Sequence, residues 1–176
     1  MINLAMFTGS PKFDKPLHVG KPNIGDTRKF KERVDKIFKN GWLTNDGEML
    51  KEFEYELQNY LNVKHCLPVC NGTMALDLAI RALGLNGEVI VPSFTFAAIP
   101  HTLKMLGIKP VFADVDPKDL NIDPVSVKEL INSNTSGIVA VHTWGRPCDI
   151  NAITELVNEY NLKIIYDASH AFSVEY

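Results

Sequence analysis

From residue 65 onward the sequence alternates between short runs rich in β-branched residues and stretches with helical apolar spacing, and no other feature restricts its possible folds as much. "HCLPV" precedes a helical pattern from Thr73 to Leu83, and "EVIV" precedes one from about Phe96 to Leu106. "PVFADV" leads to Asp123-Pro124, a helix opening, and "GIVAVH" to a helix carrying Ile153, Leu156, Val157 and Tyr160, after which "LKIIY" ends at Asp167. Short β-branched runs separated by amphipathic helices predict βαβ units, in which the helices cover both faces of the strands. The predicted fold class is therefore α/β, a mostly parallel sheet flanked by helices. In such sheets ligands gather at the carboxyl ends of the strands.

Two helices precede this pattern. Asp26 can cap a helix whose apolar positions Phe30, Val34, Ile37 and Phe38 share one face, with Gly41 as its stop; a second, Glu48 to Leu61, aligns Leu50, Phe53, Leu57, Tyr60 and Leu61. Residues 1–25 carry Pro11, Pro16 and Pro22 without sustained periodicity, so they are expected to form an extended arm, and residues 26–176 the α/β portion. The last residue, Tyr176, follows directly on a strand with no helix to cover it. An unfinished sheet edge of that kind leads us to expect the front part of a longer protein, the alternative being a complete small domain.

Bulk properties exclude several classes of partner. The 176 residues are 45% hydrophobic and 22% charged, the texture of a globular protein. A net charge of -3 offers no broad basic field, so no nucleic-acid partner is expected. There is no apolar run of about 18 residues and no secretory leader, so no membrane association is expected and the predicted location is cytoplasmic. Cys66, Cys70 and Cys148 are odd in number and lack C-x-x-C spacing, which predicts reduced thiols and no metal site.

Three strand ends carry loops with chemical character. After "CLPVC" comes Asn71-Gly72-Thr73-Met74: Gly72 permits a close approach, Thr73 supplies a hydroxyl, and the following helix offers unpaired N–H groups and a positive dipole end. That combination can seat a phosphate, although the same residues also make an ordinary turn and cap. Neither G-x-G-x-x-G nor a nucleotide-triphosphate loop is present to compete. After "EVIVP", Phe94 and Phe96 supply flat rings, suited either to core packing or to stacking on a planar cofactor. After "GIVAVH", Trp144 and His142 could line the same cleft, His142 being equally suited to a structural hydrogen bond.

The strand "IIYDASHAF" ends in a carboxylate, Asp167, with Ser169 and His170 close behind. A carboxylate delivered by an apolar strand needs a cationic partner. A phosphate seat, a stacking ring and a strand-end carboxylate are together what pyridoxal 5'-phosphate requires, because its pyridine nitrogen stays protonated only beside an anion.

Five segments, "GWLTNDGEMLKEFEYELQNYLNVKHCLPVCNGTMALDLAIRALGL", "VIVPSFTFAA", "PVFADVDPKDLNIDP", "VAVHTWGRPCDI" and "IIYDASHAF", resemble in the same order the DegT/DnrJ/EryC1/StrS family of sugar aminotransferases. The resemblance covers about Lys21 to Tyr176 and implies the large domain of the aspartate aminotransferase fold, fold type I, with the remainder of that domain and a small C-terminal domain beyond these residues. It further implies that Gly72, Thr73 and Met74 contribute to the phosphate site, that Phe96 stacks on the cofactor ring, that Asp167 pairs with the pyridine nitrogen, and that His170 lies against the cofactor. Trp42, Leu43 and Thr44 match a segment at the edge of the sugar-nucleotide site, where this chain continues Asn45-Asp46-Gly47 in place of the family's usual Gly-Pro turn.

The activity that the resemblance implies is transfer of an amino group from glutamate to a nucleotide-linked keto-deoxysugar, by a homodimer. The family's Schiff-base lysine falls after the "DASHAF" match, and Lys163 begins the strand that ends at Asp167, so it cannot take that role. The 176 residues alone are accordingly expected to be inactive. Two further readings stay open: a dehydratase of the same family, with histidine in place of the lysine, and a truncated, non-catalytic binding protein.

Overall fold

The structure, a computed structural model, describes residues 9, 13–16, 18 and 20–175. Most of the expected N-terminal arm lies outside the described residues; residues 20–26 have neither helix nor strand. The chain divides into two compact units, residues 1–56 and 57–176.

In the first unit, α1 (Thr27–Asn40) and the start of α2 (Glu48–Leu61) follow the predicted spans. Asp26 caps α1 by accepting hydrogen bonds from the N–H groups of Arg28 and Lys29, and Gly41 closes it at φ 66°. A left-handed closing residue is where glycine avoids a Cβ clash. Ion pairs Arg33–Glu52 and Lys36–Glu48 join the helices across exposed faces, where such pairs contribute about 1 kcal/mol at most. No residue of α1 is buried; in its apolar stripe Val34 and Ile37 are half-buried, and Phe30 and Phe38 are exposed.

The second unit contains α3 (Gly72–Ala82), β1 (Glu88–Pro92), α4 (Ala98–Met105), β2 (Lys109–Ala113), α5 (Pro124–Leu130), β3 (Thr135–Val141), α6 (Ile150–Glu159) and β4 (Lys163–Asp167). The strands form one parallel sheet in the order β2-β1-β3-β4. Successive residues bury opposite faces: Val89, Val91 and Val139 pack with Leu76 and Ile80 of α3 and Ile99 and Leu103 of α4. Ile90, Ile138 and Ala140 pack on the other side with Val127 of α5 and Ile153 and Leu156 of α6. Each such Val, Leu or Ile side chain contributes about 1.5–3 kcal/mol on burial, which is why the strands read as continuous apolar runs.

One expectation is corrected. "HCLPV", residues 65–69, is not a strand. A strand exists only where a neighbour completes its hydrogen-bond ladder, and residues 65–69 pair with none of the four strands. The sheet order places β2 on one side of β1 and β3 on the other, so the chain reverses direction across the sheet between β1 and β3. A crevice opens at the carboxyl ends of strands flanking such a reversal.

Candidate functional site

A cavity of about 470 Å³ lies at these carboxyl ends, lined by residues that follow β1, β3 and β4 and by the start of α3. Gly72 and Thr73 bring the N-terminus of α3 to it. The Asn71 side chain caps that helix by accepting from the N–H of Met74 at 2.9 Å, while the N–H groups of Gly72 and Thr73 have no partner among the described residues. These donors, the helix dipole and the Thr73 hydroxyl form an anion seat. A Cβ on Gly72 would lie 3.7 Å from Ser169 Oγ, an ordinary contact, so the seat has room. Met74 is not among the lining residues, and its N–H is already committed to Asn71.

β4 delivers Asp167 to the same cavity, half-buried. Ser169 donates its backbone N–H and its hydroxyl to Asp167 Oδ1, at 2.9 and 2.5 Å. Asp167 Oδ2 accepts no hydrogen bond, and no lysine or arginine pairs with the carboxylate, among the described residues. The carboxylate thus has one oxygen fixed and one available to a donor. His170 also lines the cavity, and its carbonyl packs against the Thr143–Gly145 turn: a Cβ on Gly145 would lie 2.8 Å from that oxygen.

The remaining wall is aromatic. Phe96 is 79% exposed and lines the cavity, and Phe94 meets Trp144 edge to face, with centroids 5.6 Å and planes 78° apart. Neither phenylalanine is core. His142 turns away: its Nδ1 accepts the N–H of Cys148 at 3.2 Å and its ring stacks on Tyr166, with centroids 5.5 Å apart. Burial lowers the His142 pKa, with the Asp167 charge opposing the shift, so the structural alternative for this histidine is the one adopted. Trp42, Leu43 and Thr44 line a different cavity, of about 270 Å³, within the first unit, where Trp42 Nε1 donates to the carbonyl of Asn45 at 3.0 Å.

The Asn71-Gly72-Thr73 stretch thus serves as the turn and cap that its sequence also allowed, while sequence reasoning did not single out Ser169 as the partner of Asp167, or Asn121. Asn121 is buried in the loop between β2 and α5, among the charged residues Lys118, Asp119 and Asp123, so nothing in its local sequence marks it. Cys148 is buried, Cys66 half-buried and Cys70 exposed, all three as free thiols, and the described residues contain no cluster able to hold a metal ion. Among the described residues no helix is long and apolar enough to cross a membrane.

A parallel α/β domain with a helix-terminus anion seat, a flat ring and a strand-end carboxylate around one crevice is a cofactor-binding domain of the kind that holds a phosphorylated aromatic cofactor. Residues 25–176 match the DegT/DnrJ/EryC1/StrS aminotransferase family, and the chain belongs to it. It is 44% identical over 162 residues to dTDP-4-amino-4,6-dideoxy-D-glucose transaminase from Shigella dysenteriae, covering 92% of this chain and 44% of that protein. The structure of DesI in the presence of its TDP-sugar product superimposes with a TM-score of 0.85 at 44% identity, over 94% of this chain and 43% of that one. NtdA from Bacillus subtilis, solved with bound cofactor PMP, gives a TM-score of 0.76 at 33% identity, over 81% of this chain and 33% of that one. The chain spans less than half the length of these relatives.

Proposed function

We propose that the protein of which these residues form the cofactor-binding part is a pyridoxal 5'-phosphate-dependent aminotransferase, converting a keto group of a nucleotide-linked deoxysugar to an amino group while glutamate becomes 2-oxoglutarate. The observation that carries this reading is the placement of the α3 N-terminus and Asp167 around a single cavity, with Phe96 beside them. The residues fit the cofactor: the Gly72 and Thr73 N–H groups and the Thr73 hydroxyl suit its phosphate, Phe96 offers a face for its ring, and Asp167 Oδ2 is available to its pyridine N–H. When bound, the cofactor supplies an electron sink for the C–H bond being broken.

The protein's own contribution is then electrostatic and positional. Asp167 would hold a proton at the pyridine nitrogen, Ser169 fixes the carboxylate through Oδ1 and leaves Oδ2 available for that bond, and Phe96 would offer its face to the ring. His170 contributes from the turn behind Asp167. Trp42, Leu43 and Thr44 serve the sugar nucleotide rather than the cofactor. Residues 1–25 act as an arm, residues 26–176 as part of the large domain, and the exposed Phe30 and Phe38 of α1 pack on a second copy in a cytoplasmic homodimer.

The test is the full-length protein with glutamate and a set of dTDP- and GDP-linked keto-deoxysugars, followed by mass spectrometry of the sugar and assay of 2-oxoglutarate. An amino sugar and 2-oxoglutarate in equal amounts are expected. Loss of water from the sugar without amino transfer would establish the dehydratase instead, and binding without turnover the non-catalytic reading. Light scattering should give the mass of two chains; a fully active monomer contradicts the dimer.

A further inference from the structure

Asn121 is 2% exposed, lies in the loop between β2 and α5, and satisfies every polar atom of its side chain on a single segment of chain. Its Oδ1 accepts the N–H of Thr143 at 2.9 Å, and its Nδ2 donates to the carbonyls of Arg146 and Pro147 at 3.2 and 3.1 Å. Those three bonds span the turn that carries Trp144. Thr143 adds a fourth tie, its Oγ1 donating to the carbonyl of Leu120 at 3.3 Å.

What is held is a strained arrangement. Trp144 has φ 52° and ψ 30°, a left-handed conformation that a bulky residue adopts only where its surroundings impose it. Leu120, the residue before Asn121, is left-handed too, at φ 62°. Released from Asn121, the Thr143–Pro147 turn would relax toward ordinary backbone angles, and the indole would leave its edge-to-face contact with Phe94. Trp144 is 70% exposed, so burial cannot keep it in place.

We propose that Asn121 is a positioning residue: through the Thr143–Pro147 turn it holds Trp144 against Phe94 and so preforms one wall of the cavity before any ligand arrives. A preformed wall spares the ligand the cost of ordering it. The clamp itself stands on the geometry alone, whereas its effect on ligand binding rests on the proposed function.

The two parts separate experimentally in the full-length protein labelled with 5-fluorotryptophan. The fluorine resonance of Trp144 is the one that disappears in Trp144→Phe. In ligand-free Asn121→Ala this resonance should move and broaden, and the apparent Kd for pyridoxal 5'-phosphate should rise roughly tenfold. A folded Asn121→Ala whose Trp144 resonance keeps its wild-type position and width overturns the proposal. If Asn121→Ala does not fold, Asn121→Asp decides by the same reading, since it keeps the acceptor for Thr143 but lacks the amide donors: an unmoved resonance refutes the clamp. A resonance that moves while pyridoxal 5'-phosphate binds the variant and the wild type equally well overturns the preformed wall. Failure of the wild type to bind pyridoxal 5'-phosphate refutes the cofactor reading and leaves the clamp supported by the moved resonance.

Discussion

Ser169 grips Asp167 twice through one oxygen, with N–H and hydroxyl both donating to Oδ1, so the carboxylate is held in a single orientation with Oδ2 unoccupied by any described residue. A residue that only capped the turn would have no need of its charge, because the Oδ1 of an asparagine accepts the same two bonds. Asp167→Asn therefore separates the two roles. We expect cofactor retention close to wild type and single-turnover amino transfer from glutamate at least roughly a hundredfold slower in the full-length protein, the loss of a charge worth about 3 kcal/mol at the reacting centre. Near-wild-type transfer by this variant would show that the carboxylate serves the turn alone.

Phe96 makes no aromatic contact among the described residues and is largely exposed, so Phe96→Leu should change the melting temperature little. Loss of a flat face beside a planar ring should still weaken pyridoxal 5'-phosphate binding by about 1 kcal/mol, roughly fivefold. Equilibrium titration beside thermal melting makes the comparison. A large fall in stability with unchanged affinity would make Phe96 a packing residue.

The thiols should differ sharply in reactivity. Burial raises the Cys148 pKa to about 11, whereas Cys70 is exposed. At about pH 8 a thiol-specific reagent should modify Cys70 within minutes and Cys148 only on unfolding, since the thiolate is the reacting species. The sign of the linkage follows: the unfolded chain releases the Cys148 proton near its ordinary pKa of 9.0 and the folded chain only near 11, so this group lowers stability as pH rises through that window. Cys148→Ala should flatten the alkaline decline in melting temperature; an unchanged decline would assign it to other groups.

His142 gives the acidic counterpart. Its pKa is lowered from the ordinary 6.5 chiefly by burial, and its Nδ1 is occupied as an acceptor from Cys148. Below about pH 6.5 the unfolded chain takes up the proton more readily than the folded one, so His142 removes stability as pH falls through its lowered folded pKa. The melting temperature of His142→Gln should fall less than that of the wild type between about pH 7 and pH 5. NMR titration of the His142 ring showing a midpoint above the ordinary value would contradict this assignment.

The local structure of this protein was legible residue by residue wherever a short-range rule was sufficient. Asp26 and Gly41 bound α1 because a cap and a left-handed stop depend only on neighbours, and β1, β3 and β4 announce themselves because residues such as Val89, Ile90 and Val91 alternate between two apolar layers. The order of the segments was sufficient to suggest the family, and with it Asp167 and Phe96. What required the tertiary structure were choices between partners distant in sequence. "HCLPV" has strand composition but pairs with no strand, and His142 and Trp144, two residues apart, point to different tasks because one meets Cys148 and Tyr166 and the other meets Phe94. Asn121 is the clearest case: an asparagine in a polar loop carries no instruction by itself, and its role exists only because folding brings Thr143, Arg146 and Pro147 within hydrogen-bond reach, more than 20 residues away along the chain. Backbone conformation and apolar period are decided locally; a buried amide must satisfy its donors and acceptor wherever the sheet places them.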